Sequence, residues 1–283
     1  MLHRHVAATV FSAATAQVLA VVLSVLHGSA RAVEAFAVAG AVLAVAASAA
    51  DVGGIRLASR QGLAAALVTA WASHLSVCLY RRNRPPRTGR WALAASRACW
   101  SAGAALPVVL LIAVPWSPAS IRLGEAAAAL AALAALVLQA VADAQKHAWH
   151  QGPRSDEPCL MGGVWALSRH PNLFGETAFH VCVWVLCARG APAQAASFGV
   201  LCVMVWHVTR SHDGPLVMLE RTKSVLNASS EAYAAYVRDT SVFVPMPRGA
   251  WAALGPWARA ALLEADWSRG AIQLVMASAR ALP

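Results

Sequence analysis

Gly162-Gly163-Val164-Trp165-Ala166-Leu167-Ser168-Arg169-His170-Pro171-Asn172-Leu173-Phe174-Gly175-Glu176 runs without a break into the apolar stretch from Thr177 to Ala188. From Arg169 to Glu176, eight residues hold a guanidinium, an imidazole, an amide and a carboxylate at the mouth of what reads as a membrane helix. A carboxylate entering hydrocarbon is costly unless paired, and Arg169 is its nearest partner in sequence. Pro171 disfavours helix at His170, so the pattern predicts a turn there and Asn172 as the cap of a helix carrying Glu176 and His180 on one face. A purely structural loop and cap would need fewer polar groups.

Composition points the same way. Of 283 residues, 59% are hydrophobic and 13% charged, whereas soluble domains carry about a quarter charged residues. The chain reads as an integral membrane protein. Its abundant glycine and alanine suit close helix packing in lipid, and Trp91, Trp116 and Trp149 at the ends of apolar runs suit interfacial anchoring. The formal net charge of +10 would suggest nucleic acid in a soluble protein. Here the basic residues fall in short loops, so orientation in an anionic bilayer accounts for them and no nucleic-acid partner is expected. Of the six cysteines, Cys78, Cys99, Cys182, Cys187 and Cys202 lie in or beside apolar runs and none forms a Cys-x-x-Cys pair. Neither a disulfide framework nor a metal site is expected.

Upstream of the motif, Val6 to Leu26 is long enough to span, about 20 residues being needed, and reads as a retained first helix because further spans follow. Ala35 to Ala50 extends towards Gly53-Gly54. Gln61 to Tyr80 carries His74 and breaks into Arg81-Arg82-Asn83-Arg84-Pro85-Pro86-Arg87, a basic loop of the kind that stays cytoplasmic. Ala98 to Trp116, interrupted by Pro107, and Leu123 to Val141 form a pair turned at Ser117-Pro118. Thr177 to Ala188 and Ala195 to Val208 form a helical hairpin turned at Arg189-Gly190-Ala191-Pro192. The expectation is an all-α, polytopic membrane bundle of about seven transmembrane helices. Its N-terminus lies outside, and Lys146, Arg154, Arg169, Arg210, Arg221 and Lys223 share the cytoplasmic side. Pro215 to Leu226 and Ser230 to Arg238 read as short helices, the second capped by Ser229 or Ser230. The tail from Gly249 to Pro283 reads as interfacial or partly disordered.

Three polar clusters stand out. Asp143, Lys146 and His150 fall along one stripe if the fifth helix continues past the membrane, with a simple interfacial salt bridge as the alternative. Ser168, Arg169, His170, Asn172 and Glu176 form the second. Arg169 has the donor fork to hold a phosphate, and Asn172 and Glu176 have groups for ribose hydroxyls or an amide. Arg210, His212, Asp213, Glu220, Lys223, Tyr233, Tyr236, Arg238 and Thr240 form the third, whose alternative is a solvated basic surface. His74 reads equally as a packed histidine or a group facing a substrate cavity. No Gly-x-Gly-x-x-Gly fingerprint or P-loop occurs, and His147 with His150 lacks the further histidine boxes of membrane di-iron enzymes.

Ala142-Asp143-Ala144-Gln145-Lys146, Gly163-Val164-Trp165 and the run from Ser168 to Glu176 resemble the membrane family related to the C-terminal domain of steroid 5-alpha-reductases, in its little-characterised branch. Pro215-Leu216 through Lys223-Ser224-Val225, Tyr236, Thr240 to Pro245, and Trp71 with Tyr80-Arg81-Arg82 extend the likeness over roughly residues 60 to 247. The wider superfamily also contains sterol reductases and isoprenylcysteine methyltransferases. Where relatives have a tyrosine after the asparagine, this chain has Leu173. The resemblance implies N-terminal transmembrane helices over 1–59, a reductase-like membrane domain over 60–247 with a cytosol-facing cofactor cavity, and a C-terminal tail over 248–283.

It further implies NADPH as cofactor, held by Asp143, Lys146, Arg169, His170, Asn172, Glu176, Glu220, Lys223, Tyr236 and Arg238; the residues themselves, and not the resemblance, suggest Glu176 and, on the substrate side, His74 as catalytic groups. The activity implied is reduction of a carbon-carbon double bond in a lipid or steroid-like substrate. A methyltransferase using S-adenosylmethionine and a non-enzymatic scaffold are the alternatives. The partners expected are the bilayer and a hydrophobic substrate, with no obligate protein partner. The location is a multi-pass integral membrane position, in the endoplasmic reticulum of a eukaryote or the inner membrane of a bacterium.

Overall fold

The computed structural model describes residues 2–26, 30–56, 58–81, 90–114, 120–152, 159–189, 194–211, 214–227 and 229–262. All regular structure among the described residues is helical. The basic loop 82–89, the turns at Ser117-Pro118 and at 190–192, His212, Asp213 and the tail from residue 263 lie outside them. Backbone contacts divide the chain into two compact units, Met1–Ala134 with Ala178–Met204 and Ala135–Thr177 with Val205–Pro283.

The first unit is built from α1 (Leu2–Leu26), α2 (Ala30–Asp51), α3 (Arg60–Arg81), α4 (Arg90–Ala113), and parts of α5 (Leu123–Gln151), α6 (Pro171–Cys187) and α7 (Gln194–Arg210). Gly53 and Gly54, at φ 76° and 99°, turn the chain after Asp51, and their amides return to the carbonyls of Ala50 and Ala49 to close the last turn of α2. Small side chains set the packing. Ala41, Ala64, Ala72, Ala94 and Ala132 are wholly buried, while Phe11, Leu23, Leu130 and Val203 face outward. A unit that buries alanine and exposes leucine and phenylalanine is built for an apolar solvent. Helices α3, α4 and α5 contain stretches long and apolar enough to cross a membrane.

Polar side chains inside this unit are used as links. Gln17 of α1 donates to Ser101 Oγ of α4 at 2.7 Å. At one end, Arg60 donates to Glu125 Oε1 at 3.0 Å and to the Arg189 carbonyl at 2.9 Å, and Arg189 Nε stands 2.8 Å from the same Glu125 oxygen. The starts of α3 and α5 and the end of α6 are thereby clasped.

Helices α4 and α6 begin well before the apolar runs that announce them. Helix α4 begins at Arg90 and runs unbroken through Pro107, since freed backbone groups in a packed membrane helix find other partners. Helix α6 begins at Pro171, six residues before the apolar run. Proline is favoured at a first helical position, where its missing N–H has no partner to lose. Asn172 therefore lies inside the first turn and is not the cap.

The second unit comprises the end of α5, a 3-10 turn over Gly163–Ala166, the start of α6, the end of α7, α8 (Pro215–Leu226), α9 (Glu231–Asp239), α10 (Arg248–Ala253) and α11 (Pro256–Ala261). Helix α8 has the expected bounds. Helix α9 is capped by Ser230, whose Oγ accepts from the Tyr233 amide at 3.2 Å. Helix α5 continues ten residues beyond Val141, to Gln151, carrying Asp143 and Lys146.

Candidate functional site

The site grows from the continuation of α5 in the second unit. Gly163 takes φ +62°, which suits glycine, and a Cβ there would stand 2.5–2.7 Å from the Gln145 amide group. That amide accepts from the Val164 N–H at 3.1 Å, and the Trp165 indole donates to the Ala142 carbonyl at 3.2 Å. The 3-10 turn is thus docked on α5 by backbone and side chain together. Tyr236 of α9 donates its hydroxyl to the Trp165 carbonyl at 2.6 Å. Burial pushes the Tyr236 phenol upward, which keeps it protonated as a donor.

Two ammonium groups lie against the Trp165 ring, Lys146 Nζ 5.6 Å and Lys223 Nζ 5.3 Å from its centroid. Both distances fall within the range of cation–π attraction. Lys223 also donates to the Arg169 carbonyl at 3.1 Å, and burial lowers its pKa.

Next along the chain, the segment from Leu167 to His170 is pinned to the irregular stretch after α9. The Arg169 amide donates to the Ser241 carbonyl at 2.8 Å, Ser168 Oγ to the Phe243 carbonyl at 2.8 Å, and the Met246 amide to the Leu167 carbonyl at 3.0 Å. This presents Arg169 and His170 to Glu220 of α8. The Arg169 guanidinium forms an ion pair with Glu220, and His170 Nε2 lies 2.6 Å from the other carboxylate oxygen. Arg169, His170 and Glu220 are at most 1% exposed. Burial pushes the Glu220 carboxyl up, but the Arg169 guanidinium, the His170 hydrogen bond and Lys223 outweigh it and hold it well below the usual carboxylate range. Burial, reinforced by the Lys223 charge, holds His170 down at about 3, so its imidazole is neutral and donates to an ionised Glu220.

Asn172 donates to Asp143 Oδ1 at 3.2 Å, joining α6 to α5, while its own buried Oδ1 has no hydrogen-bond partner among the described residues. Glu176, one turn further along the same face of α6, is half-buried.

Lys146, Arg169, His170, Glu220, Lys223 and Tyr236 thus belong to one set linked around Trp165, and Asp143 and Asn172 pair beside it between α5 and α6. Arg238 does not join it: its guanidinium is exposed and pairs with Asp239 at 2.9 Å. His74 lies on α3 in the first unit, half-buried, with Cys78 Sγ 3.6 Å from its Nε2. The expected pairing of Arg169 with Glu176 is replaced by its pairing with Glu220. The Glu220 carboxylate, which α8 brings fully inside, is the one that holds Arg169. The role of Trp165, as the ring that two lysines approach, was missed by sequence reasoning. The signal was present in Trp165 following a glycine pair, because a bulky ring after a positive-φ turn is aimed rather than free.

The family model described as "Protein of unknown function (DUF1295)" matches residues 93–240. No curated protein and no solved structure matches the chain.

Proposed function

From the premise that the chain belongs to the family described as a protein of unknown function, DUF1295, we propose that it is a membrane-embedded, NADPH-dependent oxidoreductase. It reduces a carbon-carbon double bond of a lipid or steroid-like substrate, and its α1 to α7 make seven crossings. The observation that carries the reading is the pair of ammonium groups, Lys146 and Lys223, against one buried indole. Two cations beside an aromatic ring suit a phosphate-bearing cofactor with planar rings.

The residues fit such a cofactor at a second point. The unpartnered Asn172 Oδ1 is an acceptor for a carboxamide N–H or a ribose hydroxyl, and Asp143 fixes its orientation through the amide N–H. Lys146 and Lys223 hold phosphate oxygens, and Glu176 takes a ribose hydroxyl or moves a proton at the substrate end. Arg169, spent on Glu220, positions the loop instead of binding phosphate, and neutral His170 completes that brace. When bound, NADPH supplies the hydride; the protein supplies binding, orientation and charge.

Calorimetry on the protein in detergent tests this. NADPH should bind, and Lys146→Ala should weaken it about tenfold or more, as expected for loss of one charged contact. S-adenosylmethionine, which has no phosphate and carries a positive sulfonium, should not bind. Binding of S-adenosylmethionine alone would replace the reductase with a methyltransferase, and binding of neither would leave a scaffold.

A further inference from the structure

The first unit holds a group of side chains that the proposed cofactor site does not use. Trp71 of α3, Trp100 of α4, and Phe179 and His180 of α6 form an aromatic cluster. The His180 imidazole stands edge-on to three rings, with centroids 4.6 Å from Trp71, 5.3 Å from Phe179 and 6.3 Å from Trp100. Trp71 and Phe179 are 0% exposed and His180 6%. Among the described residues, neither ring nitrogen of His180 nor the indole Nε1 of Trp71 has a hydrogen-bond partner.

Three unmet hydrogen-bonding atoms in one cluster are not what burial normally tolerates, since more than about nine in ten buried polar groups are paired. The cluster also sits midway along α3 and α4, where stretches apolar enough to cross a membrane leave no bulk water to help. A guest with a polar group is the economical explanation, and the atoms say which group. A neutral imidazole offers one N–H and one bare nitrogen, and the indole offers one N–H. A ketone or ether only accepts, and would leave the bare nitrogen unmet. A charged head would lack a counter-charge at this depth. A hydroxyl can accept from the Trp71 N–H and donate to the bare nitrogen of His180. The remaining imidazole N–H then faces the neighbouring ring faces, a weak but recurrent contact. Water could make the same two bonds, but its second O–H would meet only aromatic rings. In an alcohol that position is carbon, which the rings bury favourably.

We propose that Trp71 and His180 form a binding site for the hydroxyl group of a neutral lipid alcohol, with Trp100 and Phe179 against its apolar body. The site lies in the first unit and stands independently of the cofactor reading. Lipids retained by protein purified in mild detergent should be extracted and quantified by mass spectrometry. The wild type should retain a lipid alcohol near one equivalent, and His180→Leu and Trp71→Phe should each retain at least about tenfold less, as expected for loss of one or two buried hydrogen bonds. Absence of a lipid alcohol from the wild type, or equal retention by the variants, overturns the proposal. So does a higher thermal midpoint in His180→Leu without loss of lipid, because removing unmet polar atoms from an unfilled or water-filled cluster relieves their burial. If His180→Leu does not fold, Trp71→Phe decides by itself.

Discussion

Glu220 is the residue on which the second unit turns. It is wholly buried, its two oxygens are taken by Arg169 and His170, and Lys223 adds a second positive charge nearby. A buried carboxylate with that many partners stays ionised, and a buried histidine beside two cations stays neutral. Neutral His170 sets a pH dependence. Its folded pKa of about 3 lies below the usual 6.5, so between those values the unfolded chain binds a proton that the folded chain refuses. Stability is therefore full above about pH 6.5 and falls as the solution is acidified towards 3, at up to about 1.4 kcal/mol per pH unit from this residue. Thermal unfolding in detergent from pH 7.5 to 4.5 should show the midpoint dropping steadily in the wild type. In His170→Asn, which keeps a donor for Glu220 but cannot titrate, the slope should be visibly shallower. Equal slopes would mean that His170 is protonated in the folded chain. The sequence singled out all four residues but could not show that Arg169 answers Glu220, because that pairing depends on where α8 folds back.

At the scale of helices, hydropathy locates the membrane and not the ends of the backbone helix. Ala98 and Thr177 mark where apolar residues begin, yet α4 and α6 start at Arg90 and Pro171, whereas α8 and α9, announced by Pro215 and Ser230, appear where local chemistry places them. The six residues by which α6 exceeds the apolar run hold Asn172, Gly175 and Glu176, so the motif forms the first turns of the helix, buried or half-buried ahead of its apolar stretch. This explains Gly175. A Cβ there would come within 2.8 Å of the Ala135 carbonyl oxygen and 2.9 Å of the Gln139 amide nitrogen. Those are backbone atoms of α5 and cannot rotate away. Gly175→Ala must therefore push α6 off α5 in the second unit, with a cost of about 1–3 kcal/mol typical of overpacking. Gly199→Ala is the matched control, because a Cβ there meets nothing within 4 Å, and alanine favours helix. A lowered thermal midpoint for Gly175→Ala beside an unchanged or raised one for Gly199→Ala is expected. Tolerance at Gly175 would show that the helices are less closely apposed.

At the scale of the whole chain, the membrane character was legible because it is summed over every residue, while the order of crossings depends on loops where only charge speaks. Helices α6 and α7, 17 residues each, reach about 25 Å at 1.5 Å per residue. That is about 5 Å short of a typical hydrocarbon core, a mismatch that bilayer thinning and flanking polar residues absorb. With both counted, the proposed seven crossings put Arg81, Lys146, Arg169, Arg210, Arg221 and Lys223 on the cytoplasmic side and Arg56, Arg60, Arg122 and Arg189 on the other. The second group looks like a violation of the positive-inside rule. It is weakened by the fold itself, since Arg60 and Arg189 are both held on Glu125 and count for less as free charge. The order predicts how single cysteines, introduced after replacement of the native ones, react with a membrane-impermeant maleimide applied from outside. Leu2→Cys and Ile121→Cys should be labelled, and Pro86→Cys and Gly249→Cys should be protected until the membrane is opened. An odd number of crossings requires residues 2 and 249 to differ. Labelling of both or neither would therefore make the number even and remove the common cytoplasmic face on which the proposed cofactor site depends.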